Sequence, residues 1–171
     1  MTISLYTASI PLLTGMLANL SHILDKAQTF VDQKKIDPTA LTQYRLAPDM
    51  LPFTRQILIA CDAAKNGAAR LSGITAPVFE DTESTLAELK ARIQKTQDFL
   101  TTMTPAQLDG REEIEIAWPV GRDKVLNITG LNALRQMVLP NFFFHISMAY
   151  AILRHNGVEL GKRDYLFGAA G

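Results

Sequence analysis

The segment Leu139–Gly157, LPNFFFHISMAYAILRHNG, carries the residues best suited to chemistry. It holds His145 and His155, two of the chain's 3 histidines, in an apolar run interrupted by Pro140. Imidazole is the side chain whose ordinary pKa lies nearest neutrality, so it can pass a proton, accept a hydrogen bond or ligate a metal. At 100° per residue, His145 shares a helical face with Val138, Asn141, Phe142, Ala149 and Ile152. That face is apolar and is expected to turn inward, with Asn141 one turn before His145. Gln56, on an earlier helical segment, is the inward polar residue that could meet them. Gln56, Asn141 and His145 are therefore the candidate pocket residues. Two readings stay open. Their polar atoms satisfy one another or a loop carbonyl and fix the packing, or they form a ligand site in which His145 supplies a hydrogen bond or a proton.

Other chemistry-bearing residues do not converge. His155 lies ten residues from His145 and about 80° round the helix, so the two cannot chelate one ion from a regular helix. His22 sits on a polar face and is expected in solvent. No Ser/His/Asp arrangement stands out, and there is no Gly-rich phosphate loop, HExxH pair or CxxC. The catalytic residues, if any, remain unknown. Glu113 and Glu115 alternate with Ile114 and Ile116, which places them on the solvent side of a strand. Cys61 is the single cysteine, so no disulfide can form within the chain, in keeping with a reducing cytoplasm. Its setting, LIACDAAK, is apolar and helical, and a packed small hydrophobe is the expected role.

These residues must be positioned by helices. The 171 residues suit one domain. Lys+Arg and Asp+Glu number 17 each, so the formal charge is zero and no general attraction to nucleic acid or anionic membrane is expected. The N-terminal apolar run lacks a preceding positive charge and makes a poor signal peptide. The long apolar run near the C-terminus contains Pro140, Asn141, His145 and Ser147, which suits a buried helix better than a membrane span. Helix one is expected over residues 4–32, with Pro11 bending it or marking a late start. A long proline-rich connection follows, with room for a short helical turn. Helix two is expected over 51–71 and stops at Gly73. Its inward stripe (Gln56, Ala60, Ala63, Gly67) is built of small side chains, which allow close helix packing or leave room for a ligand. Helix three, over 84–103, carries a bundle seam, with Glu88 and Arg92 able to pair on its outer, solvated face. A β-hairpin turning at Gly121 comes next. Helix four covers 131–155 and should kink at Pro140, which has no N–H for the carbonyl of Gln136. Four long helices with one long crossover define an all-α four-helix bundle with a small hairpin before the last helix.

Four segments, RLAPDMLPFTRQI, CDAAKNGAARLSG, FEDTESTLAELKARI and LPNFFFHISMAYAILRHNGVELGKRDYL, carry a family likeness. The chain resembles an uncharacterised bacterial domain-of-unknown-function family within the DinB/YfiT-like superfamily. The resemblance implies a single DinB-like bundle domain over 1–171, commonly a homodimer. Many superfamily members hold a divalent metal through one histidine of the second helix and an HxxxH pair of the last, and some are transferases or hydrolases. Here the last-helix pair reads His145 and Ala149, and the second helix offers Gln56. No metal site and no cofactor are therefore expected, and a small-molecule pocket between helices two and four is preferred. The alternative is a divalent-metal transferase or hydrolase with an altered ligand set drawn from His145, Asp49 or Asp62. The C-terminal GVELGKRDYLFG is expected to fold back on the bundle, over a pocket mouth or at a dimer contact.

Overall fold

The computed structural model describes residues 3–121 and 123–170. Its helices are α1 (Ile10–Lys34), α2 (Thr39–Thr42), α3 (Phe53–Ser72), α4 (Leu86–Thr101) and α5 (Pro105–Leu108). The fourth long helix, Gly130–His155, is continuous. It comprises α6 (Gly130–Ala133), a π-helical turn (Leu134–Val138) and α7 (Leu139–His155). A short α8 (Lys162–Phe167) follows. Strands β1 (Glu115–Pro119) and β2 (Val125–Thr129) pair antiparallel, with Ile116 opposite Ile128 and Trp118 opposite Leu126. α3 packs between α4 and α7, α1 packs on α4, and α8 lies along α1. The expected bundle with its late hairpin is thus present.

The helices begin and end where local chemistry dictates. Pro11 occupies the first turn of α1, where a missing N–H has no helical partner to lose, so the helix starts late rather than bending. The residues before it are held by turns, including a 2.6 Å bond from Ser9 Oγ to the Leu5 carbonyl. α3 stops at Gly73, whose φ of 75° is a left-handed conformation that glycine adopts without strain. Core leucines of α1 (Leu13, Leu17, Leu20, Leu24) meet Leu89 and Ile93 of α4, with Phe53 and Ile57 of α3 and Phe142 and Ile146 of α7 completing the core.

Arg92 departs from expectation. Its side chain is 1% exposed and points inward to Asp62 (3.1 Å), Asp81 (3.2 Å) and Glu83 (2.9 Å). Glu88 is not its partner. Glu88 caps α4, accepting the Thr85 N–H at 2.9 Å, and these backbone bonds, led by that from Ser84, hold its pKa down at about 2. The Gly73–Thr85 connection therefore straps across α3 and α4. Lys65 pairs with Asp62 at 3.0 Å, and Lys65, Arg92 and Lys95 surround the Phe79 ring at 4.2–5.1 Å. Burial works against the Arg92 charge, but Glu83 and Asp62 outweigh it and raise the guanidinium pKa.

Cys61 is fully buried on α3 near Thr96 and Arg92 of α4, beside the residues that anchor the strap, and burial pushes its thiol up to about 12. It is expected to resist an aromatic disulfide reagent in native protein and to react at once after unfolding. Rapid native labelling would mean that the strap opens.

Pro140 shapes the fourth helix. Its ring cannot sit against the carbonyl four residues back. The helix widens instead, and the Leu139 N–H reaches the Leu134 carbonyl. A π-helical turn thus stands just before the proline at which the kink was expected.

Candidate functional site

Gln56 of α3 and His145 of α7 meet inside the bundle. Gln56 is 2% exposed and His145 is 8% exposed. Gln56 Nε2 donates to the Leu51 carbonyl at 3.0 Å, which turns its Oε1 toward His145 Nδ1 at 2.7 Å. Because a carboxamide oxygen only accepts, Nδ1 must carry the proton. Nε2 then holds the lone pair, and among the described residues it has no hydrogen-bond partner. Burial lowers the His145 pKa, so the ring is neutral at neutral pH. The site therefore presents one oriented acceptor.

A lowered histidine pKa has a defined consequence for stability. The unfolded chain binds the proton more readily, so folding is penalised as pH drops below about 6.5 toward the folded-state value, and the penalty vanishes above that window. The stability difference between the parent protein and His145→Gln is expected to shift against the parent between pH 7 and pH 5.5 in urea titrations. A difference independent of pH would contradict a buried neutral imidazole.

Asn141 does not join this pair. It is exposed and lines a separate groove of about 200 Å³ between α3, the fourth helix and β1. The expected inward position fails because Ala63 and Gly67 are too small to cover it. At Gly67 the helices nearly touch, since an added β-carbon would lie 2.7 Å from Val138 Cγ1. The small stripe of α3 thus does both things that small stripes can do: it lets the fourth helix approach at Gly67 and leaves a recess beside it. Asn66, Arg70 and Trp118 also line the recess. The Arg70 guanidinium lies over the Trp118 ring, 4.9 Å from its centroid. The Gln56–His145 pair sits one helical turn beyond Ile59 and Asn141. Asn66 and Arg70 were legible as an i,i+4 pair astride Gly67, and Trp118 as a same-side neighbour of Ile116, had the hairpin been placed against α3.

The donor set does not fit a three-histidine metal centre. It contains one imidazole, a carboxamide whose oxygen is taken by that imidazole, and the methyl group of Ala149. The other proposed ligands lie elsewhere: Asp62 is held by Arg92 and Lys65, and Asp49 is exposed on the loop before α3. No metal-binding group of histidine, cysteine and carboxylate side chains occurs among the described residues. Glu113 and Glu115 are both exposed, as expected. His155 is exposed near Tyr44, with ring centroids 5.7 Å apart.

His22 is not in open solvent. It is half-buried under α8, with Nε2 3.4 Å from Asp164, which Lys26 also holds at 2.9 Å. Asn19 donates to the Tyr165 carbonyl, and the Tyr165 hydroxyl meets Ser147 Oγ at 3.1 Å. The C-terminal segment does fold back, but onto α1 and away from the groove.

A family model described as "Domain of unknown function (DUF1993)" matches residues 5–166. The chain belongs to the DUF1993 family. A crystal structure of a DinB family member protein from Shewanella denitrificans is similar to the DUF1993 chain over 95% of its length and 91% of that chain, at 44% identity and a TM-score of 0.88. No curated protein matches. The DUF1993 chain is thus a DinB-like bundle, and neither likeness names a reaction.

Proposed function

We propose that the protein binds a small molecule in the groove between α3 and the fourth helix and does so without a three-histidine metal centre. The groove carries this reading. Its walls are formed by Ala63, Gly67 and Met137, and it is lined by polar side chains, Asn66, Arg70 and Asn141, with no hydrogen-bond partner among the described residues. Its volume is below the range usual for drug-sized ligands, which suits a small metabolite. The Nε2 acceptor of His145, one turn away, could take a hydrogen bond or a proton from a ligand reaching past Ile59.

The same reading makes the chain a cytoplasmic homodimer with no nucleic-acid or membrane partner. Support comes from its balanced charge, its single thiol and the exposed Leu51 and Phe144 that flank the Gln56–His145 pair.

Thermal unfolding with a panel of small polar metabolites tests the groove. A ligand held at a hundred times its Kd stabilises by about 2.7 kcal/mol, enough to raise the midpoint by several degrees. At least one member is expected to do so, and Ala63→Trp, which fills the recess, is expected to abolish the shift. No shift across the panel, or an equal shift in the filled variant, would overturn the proposal.

A further inference from the structure

Among the described residues, Arg70 is the charged group of the groove that no opposite charge compensates. The other charged lining residue, Asp62, is engaged by Arg92 at 3.1 Å and Lys65 at 3.0 Å. Arg70 is half-buried, and among the described residues it makes no hydrogen bond and no ion pair. Its guanidinium lies over the Trp118 ring. A guanidinium partly withdrawn from water, with no counter-charge among the described residues, favours an anion that arrives with a ligand.

The geometry fixes how that anion would be met. The Trp118 ring lies 4.9 Å from the guanidinium carbon, and the guanidinium N–H groups have no hydrogen-bond partner among the described residues. Those N–H groups form a planar fork matched to two carboxylate oxygens. Asn66 sits one turn before Arg70 on α3, and Asn141 lies on the opposite wall. Both carry an amide that can donate and accept, so they suit a neutral polar group or a second carboxylate contact. The remaining walls, Ile59, Met137, Val138 and Pro119, are apolar. A single guanidinium beside the Asp62 carboxylate suits a monoanion better than a phosphate dianion, and a cationic ligand would face the Arg70 charge directly.

We infer that the groove recognises a small monocarboxylate with a flat apolar body, whose carboxylate is forked by Arg70 and whose body lies against Trp118. This rests on the proposal that the groove binds a ligand and narrows it to one chemical class.

Trp118 is the only tryptophan of the chain, so its fluorescence reports on this groove alone. Benzoate is the probe, and benzamide, the same shape without the charge, is the control. Benzoate is expected to change Trp118 emission saturably, and benzamide to bind at least about tenfold more weakly, the difference a charge-assisted fork contributes over a neutral contact. Arg70→Gln is expected to weaken benzoate by a similar factor and to leave benzamide unchanged. Arg70 is half-exposed and outside the core, so this variant should fold, as circular dichroism would confirm. Equal binding of the two probes, or benzoate binding indifferent to Arg70→Gln, would overturn the carboxylate inference while leaving the groove a ligand site. No saturable response to benzoate would also overturn it. The metabolite panel with Ala63→Trp then decides separately whether the groove binds anything.

Discussion

Replacing Arg92 with alanine is expected to destabilise the fold by about 3 kcal/mol, the lower end for breaking a buried pair, because it leaves the half-buried Glu83 and Asp62 carboxylates without their buried counter-charge. Glu83 loses a 2.9 Å partner and Asp62 a 3.1 Å partner. Asp81 keeps Arg55 at 2.6 Å and should suffer least. The cluster is not perfectly satisfied, since Arg92 Nε and Glu83 Oε2 have no hydrogen-bond partner among the described residues. That makes a control informative. Arg92→Met combined with Lys65→Met, Asp62→Leu and Glu83→Leu removes the cluster's charges together, Asp81 keeping Arg55, and should be far less damaging than the single change. Urea unfolding of the two variants measures the difference. A single variant within about 1 kcal/mol of the parent would show that the strap contributes as an exposed ion pair does. The loss should also be visible at Cys61, whose thiol would become reactive in native protein once the strap is loosened.

Gly130→Ala is expected to cost about 3 kcal/mol, at the upper end for overpacking. At this position the chain leaves β2 and enters the fourth helix. The Gly130 N–H bonds the Ile114 carbonyl at 3.0 Å and the Leu131 N–H bonds the Glu112 carbonyl at 2.9 Å. A β-carbon there would run into the carbonyl oxygen of Arg111. Backbone cannot rotate out of the way as a side chain can, so the hairpin and helix must separate. Gly67→Ala is the contrasting case. Its β-carbon meets the Val138 side chain, so adding Val138→Ala should recover much of any loss. Thermal unfolding of the three variants tests the distinction, and equal behaviour of Gly130→Ala and the parent would refute the close approach.

Much of this architecture was legible in the residues. The leucine spacing of α1 and α4 and the glycine stop of α3 locate the long helices, because helical period and capping are local properties. The Gln56–His145 contact was legible too, since each is a large polar group on a face whose apolar neighbours turn it inward. The fate of Arg92 was not. Its partners Asp62, Asp81 and Glu83 come from another helix and from a loop, and helical spacing within α4 pointed to Glu88, which the N-terminal cap of that helix consumes. Asn141 was read as buried because a helical projection tells direction but not what stands opposite. Across from it lies an open groove, because α3 places Ala63 and Gly67 there. Arg70 and Trp118 come together only when the hairpin is laid against α3, a tertiary event with no local signature. The turn around Gly121 falls where expected, with φ of 104°, though Arg122 within it lies outside the described residues.

Nitrogen NMR of protein labelled in its histidine rings, titrated with zinc, tests the central claim most directly. His145 would be assigned by the signal lost in His145→Gln. The expected result at neutral pH is a ring protonated at Nδ1, bonded to Gln56, with a bare Nε2 whose resonance does not respond to one equivalent of zinc. An Nε2 resonance that shifts in proportion to added zinc would make His145 a metal ligand and contradict a site built on a carboxamide-held, metal-free imidazole.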